Sequence, residues 1–170
     1  PYDAVLLQAN SNWASGDMPL AGQLQLLDWV NCGGGLVTVE WVLWKTAAQG
    51  SFAALDRALP ANPTSEFTYS GTDISYQQVI ADPIMNAGLG SELTFPAVDY
   101  AGTETFMEAR DGATVFYNSV NLEDGVVGWD YNHGRVVNVS TVAGPAQMET
   151  ADYARMISNS LDWVRDAEPN

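Results

Sequence analysis

A chain of 170 residues, 46% hydrophobic and 11% aromatic, is long enough to bury one core and too apolar for intrinsic disorder. Twenty-one acidic against six basic residues leave a formal charge of -15, which repels phosphate backbones and anionic lipid surfaces and excludes nucleic acid and membrane as expected partners. The charge is spread along the chain, so it reads as a solvated surface rather than an acidic tail.

Tyr2-Asp3-Ala4-Val5-Leu6-Leu7-Gln8 is a short run of β-formers closed by the turn-like Ala9-Asn10-Ser11-Asn12, and predicts a buried parallel strand. Asp17 and Pro19 open a helix whose stripe is Leu20, Leu24, Leu27 and Val30 and which Gly33-Gly34-Gly35 ends. Residues 36–40 form the second strand. A helix over 41–59 follows, with Trp44, Ala48, Phe52 and Leu55 about one turn apart until Pro60 stops it. The order β-α-β-α predicts an α/β domain with a right-handed crossover.

From Asn62 the texture becomes alternating, which predicts strands near 66–69 and 74–80, then a turn at 82–89. Further strands are expected near 104–109 and at 113–118. Residues 126–130 and 135–141 flank Tyr131-Asn132-His133-Gly134 and read as a hairpin in which the glycine supplies positive φ. An amphipathic helix over 150–165 carries Tyr153, Met156, Ile157, Leu161 and Val164. One domain, 1–165, is expected, with 166–170 the start of a linker. Cys32 is the sole cysteine, so an intrachain disulfide and a cysteine-built zinc site are excluded, and no run approaches the ~18 apolar residues of a membrane span.

Five segments taken together carry a resemblance: Tyr2-Asp3-Ala4-Val5-Leu6-Leu7; Trp29-Val30-Asn31-Cys32-Gly33-Gly34-Gly35-Leu36-Val37; Asp82-Pro83-Ile84 with Gly88-Leu89; Gly134-Arg135-Val136-Val137; and Asn159-Ser160-Leu161-Asp162-Trp163. In this order they resemble the class I glutamine-amidotransferase-like superfamily, in its ThuA-like (trehalose-utilisation-protein-like) branch. The resemblance implies a flavodoxin-like three-layer sandwich with a mostly parallel central sheet and an antiparallel extension. It also implies a further βα unit, roughly 30 residues or more, ahead of the Tyr2 strand. With Pro1 directly before that strand, trimming at the amino end is the expectation.

The departures from the resemblance bear on chemistry. Catalytic members carry a cysteine on the sharp turn after the second strand, with a distant histidine and an acidic partner; Glu40 and Trp41 occupy that turn here. Asp82 stands where the ThuA-like pattern has histidine, which removes a metal ligand. Neither a metal nor a cofactor is therefore expected. A Cys32/His133 dyad is outweighed by the reading of a buried cysteine and a turn histidine.

Parallel strands present ligands at their carboxyl ends, which gathers Asn10, Asn12 and Trp13 with Glu40 and Trp41 as a candidate ligand-binding set. Indole, amide and carboxylate groups together suit a sugar or another small polar ring. Set against this, the two tryptophans fill the sheet edge and Glu40 serves the amino end of the following helix. Glu40 is also the sole candidate catalytic residue, a general base if desolvated. Asn121, Glu123, Asp124 and Asp130 are oxygen-rich but lack the EF-hand spacing, and read as a solvated loop. Asn138-Val139-Ser140 is a glycosylation sequon in form, placed within a strand. Trp29, Trp44, Trp129 and Trp163 read as core.

Without the implied unit beside it, the strand Tyr2 to Gln8 is an uncovered sheet edge that another protein chain or a copy of this one would cover. The function that follows is a non-catalytic binding or structural domain of a larger or assembled, exported bacterial protein. The alternatives are a hydrolase on a carbohydrate or amide using Glu40, and a self-associating structural subunit.

Overall fold

The computed structural model describes residues 2–9, 17–69, 73–96, 103–120 and 123–166, with backbone alone at 64–69 and 103. Among the described residues nine strands and four helices follow one another: β1 (Ala4–Leu7), α1 (Leu20–Asn31), β2 (Gly35–Thr38), α2 (Glu40–Gln49), β3 (Ala61–Tyr69), β4 (Ile74–Gln78), β5 (Glu92–Phe95), β6 (Thr103–Ala109), β7 (Thr114–Ser119), β8 (Asp124–Tyr131), β9 (Gly134–Val139), α3 (Pro145–Met148) and α4 (Ala151–Arg165). A short 3-10 turn at Asp56–Ala58 lies between α2 and β3. Among the described strands seven form one sheet in the order β1-β2-β9-β8-β7-β4-β5, and β3 pairs with β6 in a second, antiparallel sheet.

β1 with β2 and β2 with β9 run parallel, while every other junction of the large sheet is antiparallel. The sheet is thus mixed, and the expectation of a mostly parallel one is corrected. Strands β8 and β9 are joined by a two-residue turn, a connection that only antiparallel partners allow; of the described consecutive strands, β1 and β2 are the parallel pair, and a helix joins them.

Alternation along β2 and β9 divides the core. Val37, Val39, Val137 and Val139 join Tyr153, Met156, Ile157 and Trp163 of α4 on one face, whereas Leu36 and Val136 join Leu27 and Val30 of α1 and Trp41 and Trp44 of α2 on the other. With helices over both faces, every residue of β2 is buried. A third cluster of Leu43, Leu59, Ala61, Met107 and Val127 seats the β3–β6 sheet against α2 and β8.

Three local expectations change. The helix expected over 41–59 ends at Gln49, because Gly50 adopts φ 65° and turns the chain; Phe52 and Leu55 are buried from the following turns instead. The buried stripe of α1 is Gln23, Leu27 and Val30, and Leu20 and Leu24 are 64% and 42% exposed. Gln23 is tolerated inside because its amide donates to Asp17 Oδ1 (3.0 Å) and the Met18 carbonyl (2.6 Å) and accepts from Ala54 N (3.0 Å). In the β8–β9 hairpin the left-handed residue is Asn132, φ 53°, rather than Gly134.

Candidate functional site at the carboxyl ends of the parallel strands

β2 stops at Thr38, Val39 stays extended at φ -127° and ψ 172°, and Glu40 is the first residue of α2. A nucleophile on a sharp strand-to-helix elbow sits in a strained backbone conformation. Glu40 does not: the non-glycine residues at positive φ among those described are Phe52 and Asn132. Its side chain is 0% exposed. Its N–H donates to the Thr141 carbonyl just past β9 (3.3 Å), and its own carbonyl accepts from Thr105 Oγ1 of β6 (3.4 Å).

Around this junction lies a buried polar network that joins the two sheets to α4. Glu104 of β6 accepts from Ser119 Oγ at 2.8 Å and from Ser140 Oγ at 2.7 Å. Ser140 Oγ meets the Tyr76 hydroxyl at 2.7 Å, which lies 3.0 Å from Thr141 Oγ1. Thr141 Oγ1 in turn meets the Tyr153 hydroxyl at 3.1 Å, and Tyr153 donates to the Val142 carbonyl at 3.0 Å. Since Ser140 gives its one proton to Glu104 and Tyr153 gives its own to the Val142 carbonyl, Tyr76 donates to Ser140, and the single Thr141 proton is shared between the two phenol oxygens. The hydroxyl protons are thus committed inside the network.

Burial raises the Tyr76 phenol well above its usual range, with the charge of Glu104 adding to the effect and the hydrogen bonds to Ser140 and Thr141 opposing it. Tyr153 is raised for the same first reason, with Glu40 adding to it and Thr141 opposing it. Phe95 stands edge-on to both rings, with centroids 5.0 Å and 4.6 Å away. These rings belong to the core beneath the carboxyl ends of the strands. Lys45, a cation on the same helix as Glu40, is buried as well.

Of the candidate ligand-binding set, Asn10, Asn12 and Trp13 lie outside the described residues. Trp41 is 3% exposed and packs edge-on to Trp44 at 5.6 Å, so its ring is a core side chain rather than a stacking face. Cys32 and His133 are both exposed, which corrects the expectation of a buried cysteine. They sit at the opposite pole, where the β8–β9 turn touches the end of α1 and Asn132 Nδ2 donates to Asn31 Oδ1 (2.6 Å).

Asp82 holds its own turn together, since its Oδ1 accepts from the amides of Ile84 (2.9 Å) and Met85 (2.7 Å). Asp124 accepts from Ala109 N (2.7 Å) and Asp130 pairs with Arg135 (2.7 Å), while Asn121 lies outside the described residues. No group of three or more His, Cys, Asp or Glu side chains suited to a metal occurs among the described residues. Asn138 of the sequon is fully buried, and its amide meets Thr38 Oγ1 across the sheet.

Sequence reasoning missed Tyr76, Glu104, Ser119, Ser140, Thr141 and Tyr153. The available signal was Ser140-Thr141, which directly follows a strand that lies parallel to β2, where site residues gather. The others come from β4, β6, β7 and α4, and nothing local in the sequence brings them together.

No protein-family model and no curated protein matches this sequence. Solved structures do match its shape. A cytoplasmic protein from Salmonella typhimurium LT2 superposes with a TM-score of 0.73 at 16% identity, over 96% of this chain and 72% of that one. A ThuA-like protein from Bacteroides uniformis gives 0.71 at 11% identity, over 96% and 69%. A β-galactosidase from Bacillus circulans gives 0.70 at 12% identity, and there this chain spans 23% of the enzyme. At these identities the likeness is one of fold: this chain is a mixed α/β domain whose fold is shared by ThuA-like proteins.

Proposed function

We propose that this chain is a non-catalytic binding or structural domain on an amidotransferase-like, flavodoxin-like three-layer scaffold without the catalytic cysteine, part of a larger or assembled bacterial protein. The observation that carries the reading is Glu40, which occupies the expected nucleophile position as an unstrained, fully buried first residue of a helix. A general base must reach the proton it abstracts, and the Glu40 side chain is fully buried. This argues against the alternative of a hydrolase that uses Glu40.

A carbohydrate is the small polar ligand that best fits the reading. β-Galactosidases are among the proteins of similar fold, and this chain corresponds to about a quarter of each. We place such a ligand at the carboxyl ends of the parallel strands, with Asn10, Asn12 and Trp13 of the loop after β1 as the residues to test. Export to the cell surface or beyond is part of the proposal and rests on the charge of -15 and the single lysine. Among the described residues no helix is long and apolar enough to cross a membrane.

Turnover of glutamine, aryl esters and aryl galactosides is expected at background level, and to stay there in Cys32→Ala, His133→Ala and Glu40→Gln. Real turnover that drops by more than about 100-fold in any of the three, with the fold intact by circular dichroism, would overturn the non-catalytic reading. Galactose or lactose is expected to perturb indole fluorescence through Trp13. A bound sugar located instead beside His133 or Asp130 would remove the proposed crevice.

A further inference from the structure

The chain holds the dipeptide Asp-Gly at Asp111-Gly112 and again at Asp124-Gly125, and the fold puts the two in opposite circumstances. Asp111 and Gly112 are the exposed tip of the connection from β6 to β7. There the Ala113 amide donates to the Arg110 carbonyl (2.9 Å) and Gly112 adopts φ 88°, a hydrogen-bonded turn with a left-handed third residue, where glycine is favoured. The neighbouring cation is already taken, since Arg110 pairs with Asp56 at 2.9 Å. Among the described residues neither the Asp111 carboxylate nor the Gly112 amide is held by a hydrogen bond, and nothing lies within 4 Å of where a Cβ on Gly112 would stand. Asp124-Gly125 instead opens β8. Asp124 Oδ2 accepts from the Ala109 amide (2.7 Å), the Gly125 carbonyl accepts from the Ser140 amide (2.8 Å), and Gly125 is buried with the Tyr76 ring 2.9 Å from where its Cβ would be.

We propose that Asp111 is a site of isoaspartate formation in the folded protein, and so a substrate position for an S-adenosylmethionine-dependent methyltransferase that esterifies isoaspartyl carboxyls. Ring closure needs the following amide to swing until its nitrogen faces Cγ. A glycine with no Cβ leaves that approach open, and an exposed turn tip opens at far lower free energy than a paired, buried strand. The Gly112 nitrogen attacks Cγ of Asp111 in its carboxylic acid form. The N–C bond forms, the C–OH bond breaks, and the hydroxyl leaves with the amide proton as water. The succinimide then takes one water back. Opening at Cγ restores aspartate, whereas opening at the main-chain carbonyl leaves the nitrogen on Cγ and frees the α-carboxylate, which is isoaspartate. The product carries one extra methylene in the main chain. Because β6 belongs to the small sheet and β7 to the large one, that lengthening falls on the link between sheets rather than on either ladder. The site is independent of whether the domain binds a ligand.

The test is to age this 170-residue chain for weeks at neutral pH and physiological temperature, folded in buffer and unfolded in urea. Isoaspartate is then located by peptide fragmentation that separates β-linked from α-linked aspartate. The intact folded chain is also incubated with S-adenosylmethionine and a purified isoaspartyl methyltransferase. In the folded chain residue 111 is expected to carry roughly tenfold more isoaspartate than residue 124, and in urea, where turn and strand are both lost, the two should be alike. The same dipeptide serves as its own control, so the difference reports the fold. Methyl transfer to residue 111 is expected without denaturation. Equal amounts at residues 111 and 124 of the folded chain, or isoaspartate at residue 111 in urea but none there in buffer, would overturn the proposed site. Isoaspartate at residue 111 that stays unmethylated in the folded chain would overturn its role as a methyltransferase substrate.

Discussion

Gly50 has φ 65° at the end of α2, with open space where a side chain would project, whereas Gly134 has ordinary φ and no space at all. A Cβ on Gly134 would lie 2.3 Å from the Val30 carbonyl oxygen and 2.4 Å from that of Gly34, backbone atoms that hold the end of α1 against the hairpin. Gly50→Ala therefore costs only the left-handed backbone penalty, about 1 kcal/mol. Gly134→Ala must push the hairpin off the glycine turn, at about 3 kcal/mol. Urea midpoints of the two variants decide it: equal shifts would mean that close approach is not why Gly134 is glycine.

At the scale of elements, what the sequence made legible was whatever local period and turn chemistry control. Leu27 and Val30, the valines of β9, and Tyr153, Met156, Ile157 and Val164 of α4 follow helical or strand spacing, and all are buried where that spacing puts them. β5 and α3 escaped because four residues hold little period and, unlike β1 and β2, Glu92-Leu93-Thr94-Phe95 and Pro145-Ala146-Gln147-Met148 are not continuous apolar runs, although Gly144-Pro145 is an ordinary helix-opening pair. The length of α2 was misread because Phe52 and Leu55 keep the helical spacing while Gly50 breaks the helix between them and Trp44. Strand direction was the larger miss. It lies in β7 and β4 joining the large sheet antiparallel, and the β4–β7 pairing is a long-range one that no window of sequence contains. The candidate site divides in the same way. The Glu40-Trp41 position follows from one local strand-to-helix junction, while Glu104 reaches Ser140 across 36 residues and Tyr76 reaches Thr141 across 65.

At the scale of the molecule, the Glu104–Ser140–Tyr76–Thr141–Tyr153 chain ties β6, β4, the exit of β9 and α4 together, so its protonation state is coupled to the whole fold. Tyr76 and Tyr153 are fully buried, and burial raises both phenols above their ordinary value. In the unfolded chain they titrate near pH ~10. Below that pH both states keep the protons, and the phenols make stability neither rise nor fall. Above it the unfolded chain releases protons that the folded one holds. Unfolding is then favoured by about 1.4 kcal/mol per pH unit for each tyrosine, until the folded phenols themselves titrate. Stability should therefore be level in these groups from pH 8 to about 9.5 and fall beyond by about 3 kcal/mol per pH unit for the two together, a large fraction of a margin of ~5–15 kcal/mol. Tyr117, also raised mainly by burial, adds a slope of the same sign. Urea midpoints measured at pH 9, 10 and 11 for the parent chain, Tyr76→Phe and Tyr153→Phe separate these groups from the rest. Each phenylalanine variant loses a hydroxyl partner and should start about 1 kcal/mol lower at pH 9, yet its midpoint should fall less between pH 10 and 11. A variant slope equal to the parent slope would mean that the hydroxyl network is not what makes this fold alkali-sensitive.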